Sequence, residues 1–329
     1  MIITRTPFRI SFAGGGSDIA SFYEKHGGCV VSTAINKYMY ISVHPSFCKE
    51  ETVLKYSKTE IVENISSIKH KYFKRILERT GVDGVELSST ADVPAGTGLG
   101  SSSSFTVGVL HALYAYQSKY VSKERLAAEA CEIEITDLHN PIGKQDQYAA
   151  AYGGLNFIKF HKNGDVSVNP IMISENCRRV LEDNLMMLYT GRIHSASEIL
   201  YEQKKNVTEG ERENNQIKMC DLAEELRDEL QKENIGAVGE FLHQGWMMKK
   251  TLASGISSPE IDMAYEKARE AGAVGGKLLG AGGGGFLLLY CKKDKQENVR
   301  KATGLLQMPM MFDRQGSSVI YVGDKPDFV

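Results

Sequence analysis

With 329 residues, the chain has room for two domains that share a cleft. Its composition is that of an ordinary globular protein, 42% hydrophobic and 24% charged, and its formal charge of -2 supplies no global basic field for nucleic acid or an anionic membrane. Neither nucleic acid nor a membrane is therefore the expected partner, and the chain itself is expected to be a monomer or a homodimer. Cys29, Cys48, Cys131, Cys177, Cys220 and Cys291 form no Cys-x-x-Cys pair and no zinc-type spacing with histidine. They read as reduced thiols, and with neither an apolar leader nor a membrane-length apolar run the expected location is the cytoplasm.

In chain order, residues 1–12 alternate as a strand. Val30–His44 is rich in β-branched and aromatic residues and reads as strands. Ser66–Thr80 is predicted helical and closed by Gly81, and Val85–Ser89 is a short strand. A Gly/Ser segment from Pro94 to Ser104 leads into a helix from about Ser101, where Phe105, Val109, Leu110, Leu113 and Tyr114 recur at helical spacing. Further helices are predicted at Lys123–Leu138 and from Gln145 to Gly153, followed by a hairpin around Asn163 and Gly164. Beyond a boundary near residue 172 the character changes. A strand at Leu185–Tyr189 precedes a largely helical stretch from Ser195 to Leu252. Ser258 and Pro259 start another helix, which ends before Gly272, and Phe286–Cys291 and Val319–Val322 are apolar strands. Helices segregated from antiparallel strands predict an α+β fold in two domains, 1–172 and 173–329.

Among the chain's 32 glycines, three glycine-rich places stand out as possible phosphate binders. A Walker loop fails at Gly276-Lys277, because Ala271 stands at the first glycine position and Leu278 at the hydroxyl position. Gly280–Gly285 matches G-x-G-x-x-G, but it is expected to follow a helix and precede a strand. That order is the reverse of a dinucleotide site and argues against an oxidoreductase. The stretch PAGTGLGSSSS at Pro94–Ser104 lies between a strand and a helix, where free N–H groups and the helix dipole favour a phosphate.

RTPFRISFAGGGSD at Arg5–Asp18, PAGTGLGSSS at Pro94–Ser103 and KLLGAGGGGF at Lys277–Phe286 together resemble the GHMP kinase family. The resemblance implies an N-terminal domain like domain 2 of ribosomal protein S5, a ferredoxin-like C-terminal domain and an active site between them. It also implies ATP and Mg²⁺. Within the family, FAGGGSDIASFY at Phe12–Tyr23 and GKQDQYAAAYGG at Gly143–Gly154 look most like members that phosphorylate a heptose phosphate at its anomeric hydroxyl. Another sugar as acceptor, or a non-catalytic ATP and sugar sensor, stays open. Ser103 departs from the alanine common in the family's ATP loop.

The resemblance assigns nucleotide binding to Pro94, Gly96, Gly98, Leu99, Gly100, Ser101, Ser102 and Ser103. Ser102 and Glu134 become the Mg²⁺ ligands, since hard oxygens suit that ion. Asp146 becomes the catalytic carboxylate and Arg9 its basic partner. Gly14, Gly15, Gly16, Ser17 and Asp18 would meet the sugar, with Gly282 and Gly283 at the cleft floor. A phosphorylated acceptor needs further cations: Arg192 and His194 follow a strand, and Arg192 together with Lys204 or Lys205 is expected to bind that phosphate.

Overall fold

The computed structural model describes residues 1–192, 199, 201–202 and 210–323. Strand β1 (Ile2–Ala13) is antiparallel to β2 (Gly28–Pro45), which is long enough for its other edge to be divided. Residues 28–33 of β2 pair with β6 (Leu155–Phe160), and 39–45 pair with β5 (Val85–Ala91). Strands β3 (Thr52–Lys55), β4 (Thr59–Val62) and β7 (Val166–Pro170) extend this first sheet to either side. Helices α3 (Ser101–Tyr116), α4 (Lys123–Cys131) and α5 (Gln145–Tyr152) belong to the same half, and α3 packs directly on β1 and β2.

After β7 the chain enters helix α6 (Glu175–Asn184) and a second, antiparallel sheet. Its strands are β8 (Leu185–Tyr189), β9 (Gly275–Leu278), β10 (Phe286–Tyr290) and β11 (Leu306–Gln307), in the order β11-β8-β10-β9. Strands β8 and β10 read as unbroken apolar runs because both faces are covered. Met187, Leu288 and Tyr290 face the core shared with the first sheet. Met186, Leu188, Leu287 and Leu289 face a second core around Trp246 and Tyr265. The tail then returns, and β12 (Ser318–Val322) pairs antiparallel with β1.

Several expectations are redrawn. The helix expected from Ser66 begins at Lys71, where the His70 side chain accepts the Phe73 N–H. Residues 65–67 form a separate 3₁₀ turn capped by Asn64. The helix expected over 123–138 changes after Cys131 into a π-helical segment, Glu132–Asp137. Gly280–Gly285 follows a strand rather than a helix, because the buried GGKL segment of β9 pairs with β10 despite its weak strand propensity. The helical stretch expected from Ser195 is described as Gly210–Gln231 and Val238–Lys249, and His194, Lys204 and Lys205 lie outside the described residues. No described helix is long and apolar enough to cross a membrane.

Candidate active site

A cavity of about 300 Å³ opens where the two sheets meet. One wall is the loop from Ala95 to Ser102, which delivers the chain into α3. Gly100 stands at the helix N-cap with φ +75° and supplies no side-chain cap, so the first N–H groups of α3 are left for a ligand. Gly98 and Gly280 hold two loops backbone against backbone. A Cβ on Gly98 (φ +81°) would lie 2.6 Å from the Leu279 carbonyl oxygen, and one on Gly280 would lie 2.4 Å from the Gly98 Cα.

Arg9 comes from the middle of β1, and Asp146 sits in the first turn of α5. The Arg9 Nε and Nη2 donate to the two Asp146 carboxylate oxygens at 2.6 and 2.7 Å, and Nη1 donates to the Gly98 carbonyl at 2.7 Å. All three guanidinium nitrogens are thus anchored, which fixes the carboxylate's orientation and ties it to the phosphate-type loop while two N–H donors remain. Both residues line the cavity.

Asp18 lies opposite, and its two oxygens accept the backbone N–H groups of Gly16 and Gln145 at 3.0 and 3.1 Å. Its carboxylate therefore tops α5 instead of capping the helix Ala20–His26. Burial, the largest influence, raises its pKa against these hydrogen bonds.

Glu134 is carried inward by the π-helical segment, while Glu132 points out to Arg79. Its side chain is fully buried. The carboxylate accepts from Ser103 Oγ at 2.8 Å, Thr106 Oγ1 at 2.6 Å and Gln147 Nε2 at 2.7 Å. Burial pushes its pKa up to about 7 in spite of those three donors. Among the described residues no side-chain cation pairs with it, so a buried carboxylate behind the phosphate-type loop fits a divalent cation. No group of three acidic, histidine or cysteine side chains stands ready among the described residues. An ion there would take the rest of its shell from water and phosphate oxygens.

The structure brings Arg9, Gly15, Gly16, Asp18, Gly96, Gly98, Gly100, Ser101, Ser102 and Asp146 to the cavity and places the other expected residues elsewhere. Pro94 is exposed, and its carbonyl accepts from Thr97. Leu99 is in the core, with its carbonyl on the Arg9 N–H. Ser103, not Ser102, is the serine bonded to Glu134, because Ser103 and Thr106, three residues apart, share the face of α3 that meets this carboxylate. Ser102 faces the cavity instead. Ser17 is buried against Cys29, and Gly14 is glycine because a Cβ there would fall 1.9 Å from the Cys29 carbonyl oxygen. Gly282 and Gly283 pack on the backbone of Ile256, away from the cavity, so Gly280 and Ala281 form this part of the cavity wall. Arg192 also departs from expectation, since its exposed guanidinium pairs with Glu260 and does not line the cavity.

Two lysines unmarked as site residues by the sequence reading line it instead. Lys249, at the end of the helix Val238–Lys249, and Lys277, in β9, are 5% and 4% exposed. Lys249 Nζ donates to the Leu278 carbonyl at 3.5 Å and to that of Gly280, while Lys277 Nζ donates to Phe12 O at 3.3 Å. Burial lowers the pKa of Lys249 to about 8 and that of Lys277 well below the usual range, with Arg9 adding to both. Lys277 opens the third glycine motif, a signal available in the sequence. Lys249 beside Lys250 carried none.

Known proteins show the same architecture. The description "GHMP kinases N terminal domain" matches residues 61–154, and "GHMP kinases C terminal" matches 226–303. A D-glycero-alpha-D-manno-heptose 7-phosphate kinase of Campylobacter jejuni is 30% identical over 92% of each chain, and a galactokinase of Pyrococcus furiosus is 25% identical over the same share. Among solved structures, a D-glycero-D-manno-heptose 1-phosphate kinase from Bacteriodes thetaiotaomicron superposes with a TM-score of 0.80 at 24% identity, covering 98% of this chain and 100% of that one. The phosphate-type loop, the Arg9–Asp146 pair and these relatives converge: the chain belongs to the GHMP kinase family, ATP-dependent phosphotransferases with an alcohol group as acceptor, and is a sugar kinase within it.

Proposed function

We propose that the chain transfers the γ-phosphoryl group of MgATP to the anomeric C1 hydroxyl of D-glycero-D-manno-heptose 7-phosphate, giving the 1,7-bisphosphate used for GDP-heptose. The observation that carries this reading is the position of Asp146. Held by Arg9, it faces the cavity between the open N-terminus of α3 and the Asp18 loop. The 30% identity to a heptose 7-phosphate kinase supports the acceptor.

In this reading the N–H groups of α3 and the Gly96–Gly100 backbone seat the nucleotide's phosphates. Asp18 and the Gly15–Gly16 backbone orient the sugar, and Asp146 accepts or directs the C1 hydroxyl proton. Arg9 keeps that carboxylate aimed and lends positive charge to the phosphoryl oxygens as they separate. Glu134 and Ser102 would hold Mg²⁺, which when bound supplies charge neutralisation to the phosphates. The two folding units divide near residue 172, with the tail strand Ser318–Val322 returning to the first.

The test is ³¹P NMR of the protein with MgATP and the heptose 7-phosphate. A new anomeric phosphate resonance, absent with Asp146→Asn, is expected. ADP formed only with a hexose, a fucose-like sugar or a heptose carrying its phosphate elsewhere would refute the acceptor and keep the kinase.

A further inference from the structure

Lys249 and Lys277 are left over by that mechanism, although each buries an amine in the cavity wall. Arg9 is paired with the carboxylate of Asp146 and with Gly98, whereas the two lysine amines touch only backbone carbonyls. No carboxylate lies within ion-pair distance of either among the described residues. Asp18 is the acidic group that Lys249 feels, while Arg9 and Lys277 oppose it. Buried cationic groups in such surplus call for an anion.

A third group marks the same place. Ser11 is 6% exposed and lines the cavity, and its hydroxyl has no partner. Gly15 lies between it and Gln145: a Cβ there would come 3.6 Å from Ser11 Oγ and 3.7 Å from Gln145 Nε2. Ser11 precedes Phe12, whose carbonyl holds Lys277, and the strand continues into the Gly14–Asp18 loop. The polar cluster thus links the strand that runs into the Gly14–Asp18 loop, through Ser11 and Lys277, with the Gly280 turn, through Lys249.

We infer that Lys249, Lys277 and Ser11 form an anion subsite that binds the phosphate group carried by the acceptor. The inference rests on the acceptor reading given above and moves the phosphate contact from Arg192 to the cavity wall. A phosphate dianion supplies oxygens for the free N–H and O–H donors and restores charge balance beside Asp18.

The experiment is isothermal titration calorimetry with AMPPNP and Mg²⁺ bound, so that the nucleotide site is filled. The titrants are heptose 7-phosphate, the same heptose without phosphate, and inorganic phosphate. The wild type should prefer the phosphorylated heptose by at least about tenfold. Lys249→Met and Lys277→Met should each erase roughly tenfold of that preference. Lys249→Arg should keep most of it, and Arg192→Ala all of it. An unchanged preference in both methionine variants, with folding verified by denaturation, overturns the inference. So does a matching fall in AMPPNP affinity, which would assign the lysines to the nucleotide. If the wild type binds neither heptose, the acceptor reading fails and inorganic phosphate decides alone. Binding lost in Lys249→Met supports the subsite, while binding kept, or absent from the wild type, overturns it.

Discussion

Replacing Lys249 by methionine should stabilise the unliganded protein at neutral pH, because this lysine is buried for ligand binding and not for folding. Methionine keeps the length and volume of the side chain without the amine. A folded-state pKa of about 8 against an ordinary 10.5 is a shift of 2.5 units, so protonated Lys249 costs the fold about 3 kcal/mol at pH 7. The variant also abandons the carbonyls of Leu278 and Gly280, a loss of about 1–2 kcal/mol. The net expectation is a gain of about 1–2 kcal/mol. Because the folded pKa is depressed, the unfolded chain binds more protons between pH 8 and 10.5, and wild-type stability recovers as pH rises through that window. By pH 10 most of that cost has gone, and the variant should have become the less stable of the two. Urea denaturation of both proteins from pH 7 to pH 10 measures this directly. Stability differences that stay parallel across the range, or a variant weaker than wild type at pH 7, would refute the reasoning.

Glu134→Gln should show the opposite pH trend. A carboxyl raised from 4.5 to about 7 favours its neutral form in the fold, so wild-type stability falls by about 3 kcal/mol as pH climbs through that window. The glutamine variant should lack this fall, and adding MgATP at pH 8, or then removing the metal with EDTA, should shift the melting temperature of the wild type more than that of the variant. Asp146→Asn should lower kcat at least about a hundredfold in a coupled ADP assay while leaving AMPPNP affinity within about twofold, since its contacts are to Arg9 and not to the α3 N–H groups. Gly285→Ala places a Cβ 2.2 Å from the Thr97 carbonyl oxygen at φ +94°. Calorimetric melting should record a loss of more than about 1 kcal/mol, together with weaker nucleotide binding as the two loops separate.

Features set by local chain chemistry were readable in the sequence. Gly81 closes its helix in the left-handed conformation, Ser258 accepts the Ile261 N–H with Pro259 at the first helical position, and the Asn163–Gly164 hairpin joins β6 to β7. The Gly/Ser loop before α3 was likewise visible, because its function depends on a strand–loop–helix order that sequence displays. Strand β9 was not visible, since two glycines and a lysine become a strand only when β10 offers an edge and both faces are covered. Arg192 shows the same limit from the other side: its place after a strand is visible in the sequence, but its pairing with Glu260 outside the cavity lining is a matter of tertiary structure.

By itself the sequence determined the kinds of chemistry present: glycines wherever backbones must approach, an arginine and carboxylates that the family resemblance assigns to phosphoryl transfer, and apolar runs for two sheets. Tertiary structure decided which copies of each residue type face the cavity. Glu134 turns inward and Glu132 outward through one π-helical turn, Ser103 meets the carboxylate that Ser102 was expected to share, and Lys249 is buried while Lys250 pairs with Asp262 near the surface. Neighbouring residues of like chemistry cannot be told apart by local propensity. Only the packing of distant segments removes one of them from water and shifts its charge.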